Sequence, residues 1–210
     1  MYCRYIPEFT ASEDWSSEQL ENNAAELQSL LGNFYLRITS AVIRKRLPED
    51  FNSHLQEYLE QSLIIGNLRE VAKPLQHLTS VVDHHLNELR VAEALEAIIH
   101  QLKAVCPVLS SVGIVNVSSQ ANVMMNVTEP WAKKTPGAVT GKVYALSLET
   151  LRICGILLQP FIPAKAGTLL DALGIPQSER ALQHAQYLRY SIGNITPGVK
   201  LFSRASKNVD

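Results

Sequence analysis

The feature that most constrains the fold of this chain is a helical repeat of apolar residues. Between Leu20 and Leu47 the apolar side chains follow one another at steps of three and four residues: Leu20, Ala24, Leu27, Leu30, Leu31, Phe34 and Ile38. Because this spacing places side chains on one face of a helix, we predict an amphipathic helix that ends before Pro48. Similar patterns predict helices over 51–65, 68–84, 87–104, 141–158 and 164–173. No segment alternates convincingly as a strand would, so the sequence predicts an all-α helical bundle of about six helices.

Two residues bear on where these helices begin and end. Pro74 fits the third helix only if that helix begins near it, because proline has no amide hydrogen and clashes with the preceding turn. Gly174 follows the sixth helix directly and suits the left-handed conformation that closes many helices.

The pattern also divides the chain into regions. Residues 20–175 are predicted to form the bundle, and residues 176–210 a short helix at about 178–188 followed by a tail. Residues 107–120 are rich in serine and valine and lack a helical period. We predict that they form a loop or an insertion.

Composition restricts the class of protein. Apolar residues make up 46% of the chain and charged residues 19%, as in a soluble folded protein, and the net charge is -1. A nucleic-acid partner would therefore have to be attracted by a local basic patch. No secretory signal is visible, and the longest apolar run, 153–162, is too short to cross a bilayer, so no membrane association is expected.

Signatures of catalysis and metal binding are absent from the sequence. It contains no dinucleotide-binding or P-loop glycine pattern, no GxSxG and no HExxH. In the cluster Asp83-His84-His85 the two adjacent histidines cannot easily face one ion on a helix, although His84 and Glu88 could, which favours solvated or helix-terminal histidines over a metal site. The three cysteines are far apart and odd in number, which argues against a disulfide framework: Cys3, Cys106 and Cys154. We expect no metal and no cofactor in this chain.

The first group of residues with binding chemistry lies in the first predicted helix. Asn33 and Arg37 are one turn apart, so an amide and a guanidinium can converge on the edge of one ligand, such as a nucleobase. The basic run Arg44-Lys45-Arg46 follows. From spacing alone, a capping asparagine and an ordinary surface arginine are the favoured explanation of the pair.

The second group surrounds a tryptophan. Glu129-Pro130-Trp131 is followed by Lys133 and Lys134. An exposed aromatic ring beside lysines is a stacking platform for an unpaired base. A core tryptophan under a loop is an equally good explanation of these residues alone. A third stretch, 151–163, has one arginine and otherwise looks like a packing helix that ends in a Pro-Phe-x-Pro bend.

Together these segments resemble the methionyl-tRNA synthetases, from about residue 4 to residue 204. The order and spacing of the motifs are specific, although no single one is decisive. The segments that carry the resemblance are Arg4–Phe9, Asp14–Ser16, Asn23–Leu27, Leu30–Asn33, Ala121-Asn122, Glu129–Trp131, Leu151–Pro163, Leu173-Gly174 and Leu201–Arg204.

The resemblance implies a helical bundle of the class I synthetase anticodon-binding type. It implies that Asn33, Arg37 and Trp131 read the CAU anticodon of tRNA-Met, with the tryptophan stacked on a base and Pro130 shaping the platform. Asn122 matches a position for which we expect a structural role. The neighbouring cations become candidate phosphate contacts: Arg44, Lys45, Arg46, Lys133 and Lys134.

Three departures from the family limit what is implied. Ser203 replaces the usual proline before the final arginine, which puts the docking of the C-terminus in doubt, and 107–120 is longer than the usual link. The HIGH-type and KMSKS-type segments that bind ATP and methionine are missing. We therefore expect residues 1–19 to be a remnant of the connection from a catalytic domain. The catalytic domain of the same synthetase, if present, would be a partner of this chain. No activity is expected from these residues alone, and the intact enzyme would use ATP and methionine.

Two alternatives remain open at this point. A helical protein-interaction domain derived from a synthetase would keep the bundle without binding tRNA, and would bury Trp131. The anticodon domain of a sister class I synthetase, such as the leucine or cysteine type, is less compatible with Glu-Pro-Trp and Gly-Asn-x-x-x-Arg. The expected compartment is the mitochondrial matrix or the cytoplasm, with the mitochondrion preferred.

Overall fold

A computed structural model of the protein describes residues 25–105, 129–189 and 193–202. Within these ranges no residue is in a β-strand, which confirms the predicted all-α fold. Helix α1 is a π-helical segment, Gln28–Asn33, that continues as an α-helix, Phe34–Ile38. The following helices are α2 (Ala41–Arg44), α3 (Leu55–Ser62, after a 3-10 turn at Phe51–His54), α4 (Gly66–Asn87), α5 (Val91–Val105), α6 (Gly137–Leu157) and α7 (Pro163–Ala172).

Helix α6 is the centre of the bundle. Every residue of α6 from Val143 to Leu157 is buried, and α6 contacts α1, α3, α4, α5 and α7. A helix that is covered on all sides needs apolar residues around its whole circumference, and the run of leucine, isoleucine, valine and alanine in this segment provides them. The surrounding helices are amphipathic and turn one apolar face to α6.

The first predicted helix is interrupted, contrary to expectation. Thr39 leaves the helical conformation, and Ser40 is extended (φ -62°, ψ 150°) before α2 begins. The Thr39 hydroxyl donates a hydrogen bond of 2.7 Å to the carbonyl of Tyr35, so the side chain competes for a helical acceptor at the break. The predicted single helix to Leu47 is therefore wrong at residues 39 and 40.

The placement of Pro74 was also predicted wrongly. Proline lies well inside the 22-residue helix α4 and not near its start. Its ring is on the exposed side, while the opposite face buries six apolar residues: Leu68, Val71, Ala72, Leu75, Leu78 and Val82. Tertiary packing of that face offsets the local cost of the missing hydrogen bond.

The connections after α4 and α7 have the geometry of helix C-caps. Gly174 has φ +71°, as predicted, and the amide of Ile175 donates to the carbonyl of Leu170. After α4 the corresponding position is held by Leu89, with φ +61°, and the Arg90 amide donates to the His85 carbonyl. Because Leu89 and Arg90 form this C-cap of α4, α5 begins at Val91 and not at residue 87.

Residues after α7 do not form the predicted helix over 178–188. They form two 3-10 turns, Gln177–Glu179 and Leu182–His184. Their carbonyls are used by side chains of the bundle: Arg152 donates to the carbonyls of His184 (2.5 Å) and Gln186 (2.6 Å). Because these acceptors are occupied by the bundle, residues 177–189 lie against it as an irregular segment. We call this segment the strap.

The strap is held by a buried ion pair on α6. The Arg152 guanidinium forms two hydrogen bonds of 2.8 Å to the Glu149 carboxylate, and both side chains are buried. The Glu149 carboxylate also accepts the amide of Leu188 at 3.1 Å. The Tyr187 hydroxyl donates to the Leu59 carbonyl at 2.9 Å, and burial together with the Glu149 charge raises the pKa of Tyr187. The single arginine in the third sequence segment thus anchors the strap, which the sequence did not indicate.

Candidate functional site

Helix α1 has one buried apolar face and one exposed polar face. Its apolar residues, such as Phe34 and Ile38, are buried, while Asn33 and Arg37 are exposed one turn apart. Asn33 is in helical conformation (φ -70°, ψ -35°) and makes no capping hydrogen bond with its side chain. The simple explanation of Asn33 as a helix cap therefore has no support, and the amide faces solvent.

The tryptophan lies on a tightly bonded loop before α6. The Glu129 carbonyl accepts hydrogen bonds from the Ala132 amide (2.8 Å) and from the Thr135 hydroxyl (2.9 Å). Pro130 is buried beneath the loop, whereas Trp131 is 41% exposed. The alternative of a core tryptophan is wrong for this structure. The loop therefore carries a buried proline followed directly by a partly exposed tryptophan.

Asn33, Arg37 and Trp131 converge on one open depression of about 660 Å³. Its other lining residues are Leu36, Ser40, Val42 and Ile43, from the end of α1 and from α2. Ligand sites in proteins have volumes of about 300–1,000 Å³ and combine apolar walls with a few polar groups. The depression has that composition, with an aromatic ring, an amide and a guanidinium at its rim.

The Arg46 side chain forms hydrogen bonds with the loop that carries Trp131. Its Nε donates to the Pro130 carbonyl at 3.1 Å, and its Nη2 donates to the Thr135 carbonyl at 2.6 Å. The side chain is partly buried. The sequence interpretation of Arg46 as a phosphate contact gave no hint of this role, because the basic run alone does not show which cation meets the loop.

The remaining predicted phosphate contacts are dispersed around the loop. Lys45 and Lys133 are exposed, and Lys134 pairs with the Glu129 carboxylate at 2.7 Å while staying mostly in solvent. Arg44 is exposed but lines a second depression with Phe51, Tyr144 and Asn194, among others. The structure therefore does not bring Arg44 to the depression that contains Trp131.

Two residues of α1, Gly32 and Tyr35, contact segments near the C-terminal end of the chain, and the sequence does not predict these contacts. The Tyr35 hydroxyl donates to the Thr196 carbonyl, and the Ala172 carbonyl lies 3.3 Å from the same oxygen. Burial raises the pKa of Tyr35, and the charge of Arg44 opposes the shift. A Cβ on Gly32 would lie 3.2 Å from the ring of Phe202. No local pattern predicts these contacts, since their partners are far away in the chain.

The same contacts bear on the C-terminal departure from the family. Leu201 is buried and Phe202 packs against α1, so the chain docks as far as residue 202. Ser203 and Arg204 lie outside the described residues, as do Asn122 and the predicted insertion at 107–120.

Two other findings concern the described residues. They contain no group of three histidine, cysteine or acidic residues placed to hold a metal ion. His84 lies 3.5 Å from Glu88 and 3.3 Å from Arg90, at the exposed end of α4. None of the helices described combines the length and apolar character needed to span a bilayer.

Comparison with known proteins finds similarity to methionine--tRNA ligases. No protein-family model matches the chain. It is 30% identical over 185 residues to a probable mitochondrial methionine--tRNA ligase of Neurospora crassa, over 84% of this chain and 26% of that protein. A methionine--tRNA ligase of Rickettsia felis is 42% identical over 72 residues, 34% of this chain and 14% of its own length. A probable mitochondrial methionine--tRNA ligase of Schizosaccharomyces pombe is 42% identical over 62 residues, 30% of this chain and 12% of its own.

The alignments cover a limited part of these enzymes. The chain spans about a quarter of the length of the Neurospora relative, within its C-terminal region. The helical fold, the order of the motifs and these relatives agree, and the chain belongs to the methionyl-tRNA synthetase family as the counterpart of a C-terminal portion of such enzymes.

Proposed function

We propose that this chain binds the anticodon stem-loop of tRNA-Met through the depression lined by Asn33, Arg37 and Trp131. The observation that carries the proposal is the convergence of these three side chains, from two segments about 100 residues apart, on one solvent-facing site. The side-chain chemistry of each of the three suits a nucleobase.

The three side chains supply complementary interactions. Trp131 presents a partly exposed ring on which a base can stack, a contact worth about 1–3 kcal/mol. The Asn33 amide offers one acceptor and two donors to a base edge. The Arg37 guanidinium supplies charge and planar hydrogen bonding, and it can also stack. Pro130, buried under the loop, fixes the backbone from which the ring projects.

Local charge supports binding despite the overall balance. The chain has a net charge of -1, but Arg37, Lys45 and Lys133 are exposed cations on the elements that form the depression. We propose Lys45, Lys133 and Lys134 as phosphate contacts of the stem-loop, and Arg44 at the end of α2 as a further contact beside the second depression. Lys134 is partly neutralised by Glu129 and should contribute less.

The activity of a whole enzyme is also a proposal. The relatives are named methionine--tRNA ligases, and we propose that this chain serves ATP-dependent charging of tRNA-Met together with a catalytic domain that binds ATP and methionine. The chain alone should carry no such activity. We propose the mitochondrion over the cytoplasm as its compartment, because two of the relatives are named as mitochondrial.

The competing interaction-domain hypothesis predicts a buried Trp131. The exposed ring next to Asn33 and Arg37 supports the RNA-binding proposal instead. A sister synthetase of the leucine or cysteine type would read a different loop sequence, so loop specificity separates that alternative.

The test is a titration of wild type and Trp131→Ala against a CAU stem-loop and a scrambled-loop control. We expect Trp131→Ala to weaken CAU binding by about one to two powers of ten, from the loss of one base stack. Val81→Ala, which removes a similarly exposed apolar side chain (42%) on α4, should change neither affinity. Unchanged CAU discrimination in Trp131→Ala would reject the anticodon assignment.

A further inference from the structure

We infer that Arg46 is a positioning residue that holds Trp131 in register with Asn33 and Arg37, and so sets which loop sequence the depression accepts. The claim that Arg46 sets which loop sequence is accepted rests on the proposed function. The geometric part of the inference, that Arg46 fixes the tryptophan, stands on the contacts of the loop itself.

The two hydrogen bonds of Arg46 go to backbone carbonyls on either side of Trp131 in the sequence. Pro130 immediately precedes Trp131, and Thr135 follows it by four residues, so one guanidinium ties both sides of the turn. The buried Thr140 hydroxyl also approaches the Pro130 carbonyl, but at 3.4 Å it is a weaker donor. Because the guanidinium is planar with a fixed spacing between its donors, it restricts both the position and the rotation of the loop.

The backbone of Arg46 is itself fixed to the other wall of the depression. Its amide donates to the Ile43 carbonyl at 2.9 Å, and Ile43 is a buried lining residue. On the opposite side, a Cβ added to Gly137 at the start of α6 would lie 3.3 Å from the Arg46 carbonyl oxygen. Arg46 therefore links a lining residue of the depression, Ile43, to the loop that carries Trp131.

The chemistry of the acceptors distinguishes this role from a phosphate contact. Both of these hydrogen bonds of Arg46 end on neutral carbonyl oxygens of the protein, and their geometry requires two donors. A lysine keeps the charge but offers a point-like ammonium, which cannot reproduce the fork. Arg46→Lys should therefore preserve long-range attraction to RNA and lose the register of Trp131.

The first experiment measures specificity. Wild type, Arg46→Lys, Arg46→Ala and the neighbouring control Lys45→Ala are titrated with CAU and scrambled stem-loops at two salt concentrations. We expect both Arg46 variants to lose about tenfold in CAU discrimination, and no more than Trp131→Ala loses. Arg46→Lys should keep the wild-type salt dependence, and Lys45→Ala should weaken both RNAs alike. Full rescue of discrimination by Arg46→Lys would overturn the inference in favour of a charge contact.

The second experiment needs no RNA. The chain has two tryptophans, so Trp15→Phe leaves Trp131 as the only one. In that background we expect acrylamide to quench Trp131 more strongly in Arg46→Lys and Arg46→Ala than with Arg46 intact, and no change in Lys45→Ala. Equal quenching in all four proteins would reject the positioning role. If wild type fails to distinguish the two RNAs, the proposed function and the specificity part fail together, while quenching still decides the geometric part.

Discussion

Two regions of the molecule use an arginine in the same way under different conditions. Arg152 in the core and Arg46 beside the depression each donate to two backbone carbonyls of a segment that is distant in the sequence. Arg152 is fully buried and is also paired with the Glu149 carboxylate. Arg46 is partly exposed, and the acceptors seen for it are neutral carbonyls.

The difference follows from the cost of removing charge from water. A fully buried guanidinium without a counter-charge would be very unfavourable, so the strap region needs Glu149. Next to the depression, water still solvates part of the Arg46 side chain and no carboxylate is required. The core region therefore serves stability, and the exposed region is free to serve binding.

The largest effect should come from breaking the core pair. Arg152→Ala leaves the Glu149 carboxylate buried without its partner and two strap carbonyls without their donor. We expect a loss of about 3–5 kcal/mol in the free energy of unfolding, measured by denaturant titration. Arg189→Ala, which removes an exposed arginine with a 3.1 Å hydrogen bond to the Gln183 carbonyl of the same strap, should cost less than about 1 kcal/mol. Equal losses in the two variants would contradict the distinction between the regions.

A smaller effect is expected at Tyr187, whose hydroxyl joins the strap to α3. Tyr187→Phe should lower the free energy of unfolding by about 1 kcal/mol at neutral pH, because the Leu59 carbonyl loses a donor. Burial and the Glu149 charge raise the pKa of Tyr187 in the folded state. The unfolded chain therefore releases this proton first as pH rises above about 10, and the folded state loses stability there.

That linkage gives the Tyr187 variant a pH signature. Wild type should lose stability above pH 10 through this residue, and Tyr187→Phe should not, so the gap between the two should narrow as pH rises. Denaturant titrations at pH 8 and pH 11 measure the gap. A gap that widens at alkaline pH would have the wrong sign for a tyrosine held neutral in the fold.

The smallest effect concerns a site outside both regions. Leu89 is 76% exposed and has φ +61°, a conformation that costs a leucine about 1–2 kcal/mol. Leu89→Gly should relieve this strain, partly offset by the greater freedom of glycine in the unfolded chain, for a net gain of about 0.5–1 kcal/mol. Thermal unfolding measures the gain, and RNA binding should not change. A destabilised variant would show that the exposed side chain packs in a way its exposure conceals.

Much of the fold could be predicted because its signals are local. The spacing of apolar residues predicts the helices, and Gly174 has the predicted positive φ. The errors have long-range causes. Packing of the opposite face keeps α4 continuous through Pro74, and donors from the bundle occupy the carbonyls of the strap, so residues 178–188 do not form a helix.

The same division applies to the candidate site. Asn33 and Arg37 follow from helical spacing, and Trp131 from the Glu-Pro-Trp motif and the family resemblance. Arg46 looks like one cation of a basic run until the loop carbonyls beside it are known. Its role depends on residues more than 80 positions away, and no local pattern carries that information.

The most direct test of anticodon recognition is a coupling measurement between Trp131 and single bases. Wild type and Trp131→Ala are titrated with the intact CAU stem-loop and with three versions in which C, A or U is replaced by an abasic sugar. If the ring stacks on one of these bases, Trp131→Ala should cost about 1–3 kcal/mol with the intact loop and almost nothing once that base is absent. If Trp131→Ala weakens all four RNAs by the same factor, the ring does not contact the anticodon.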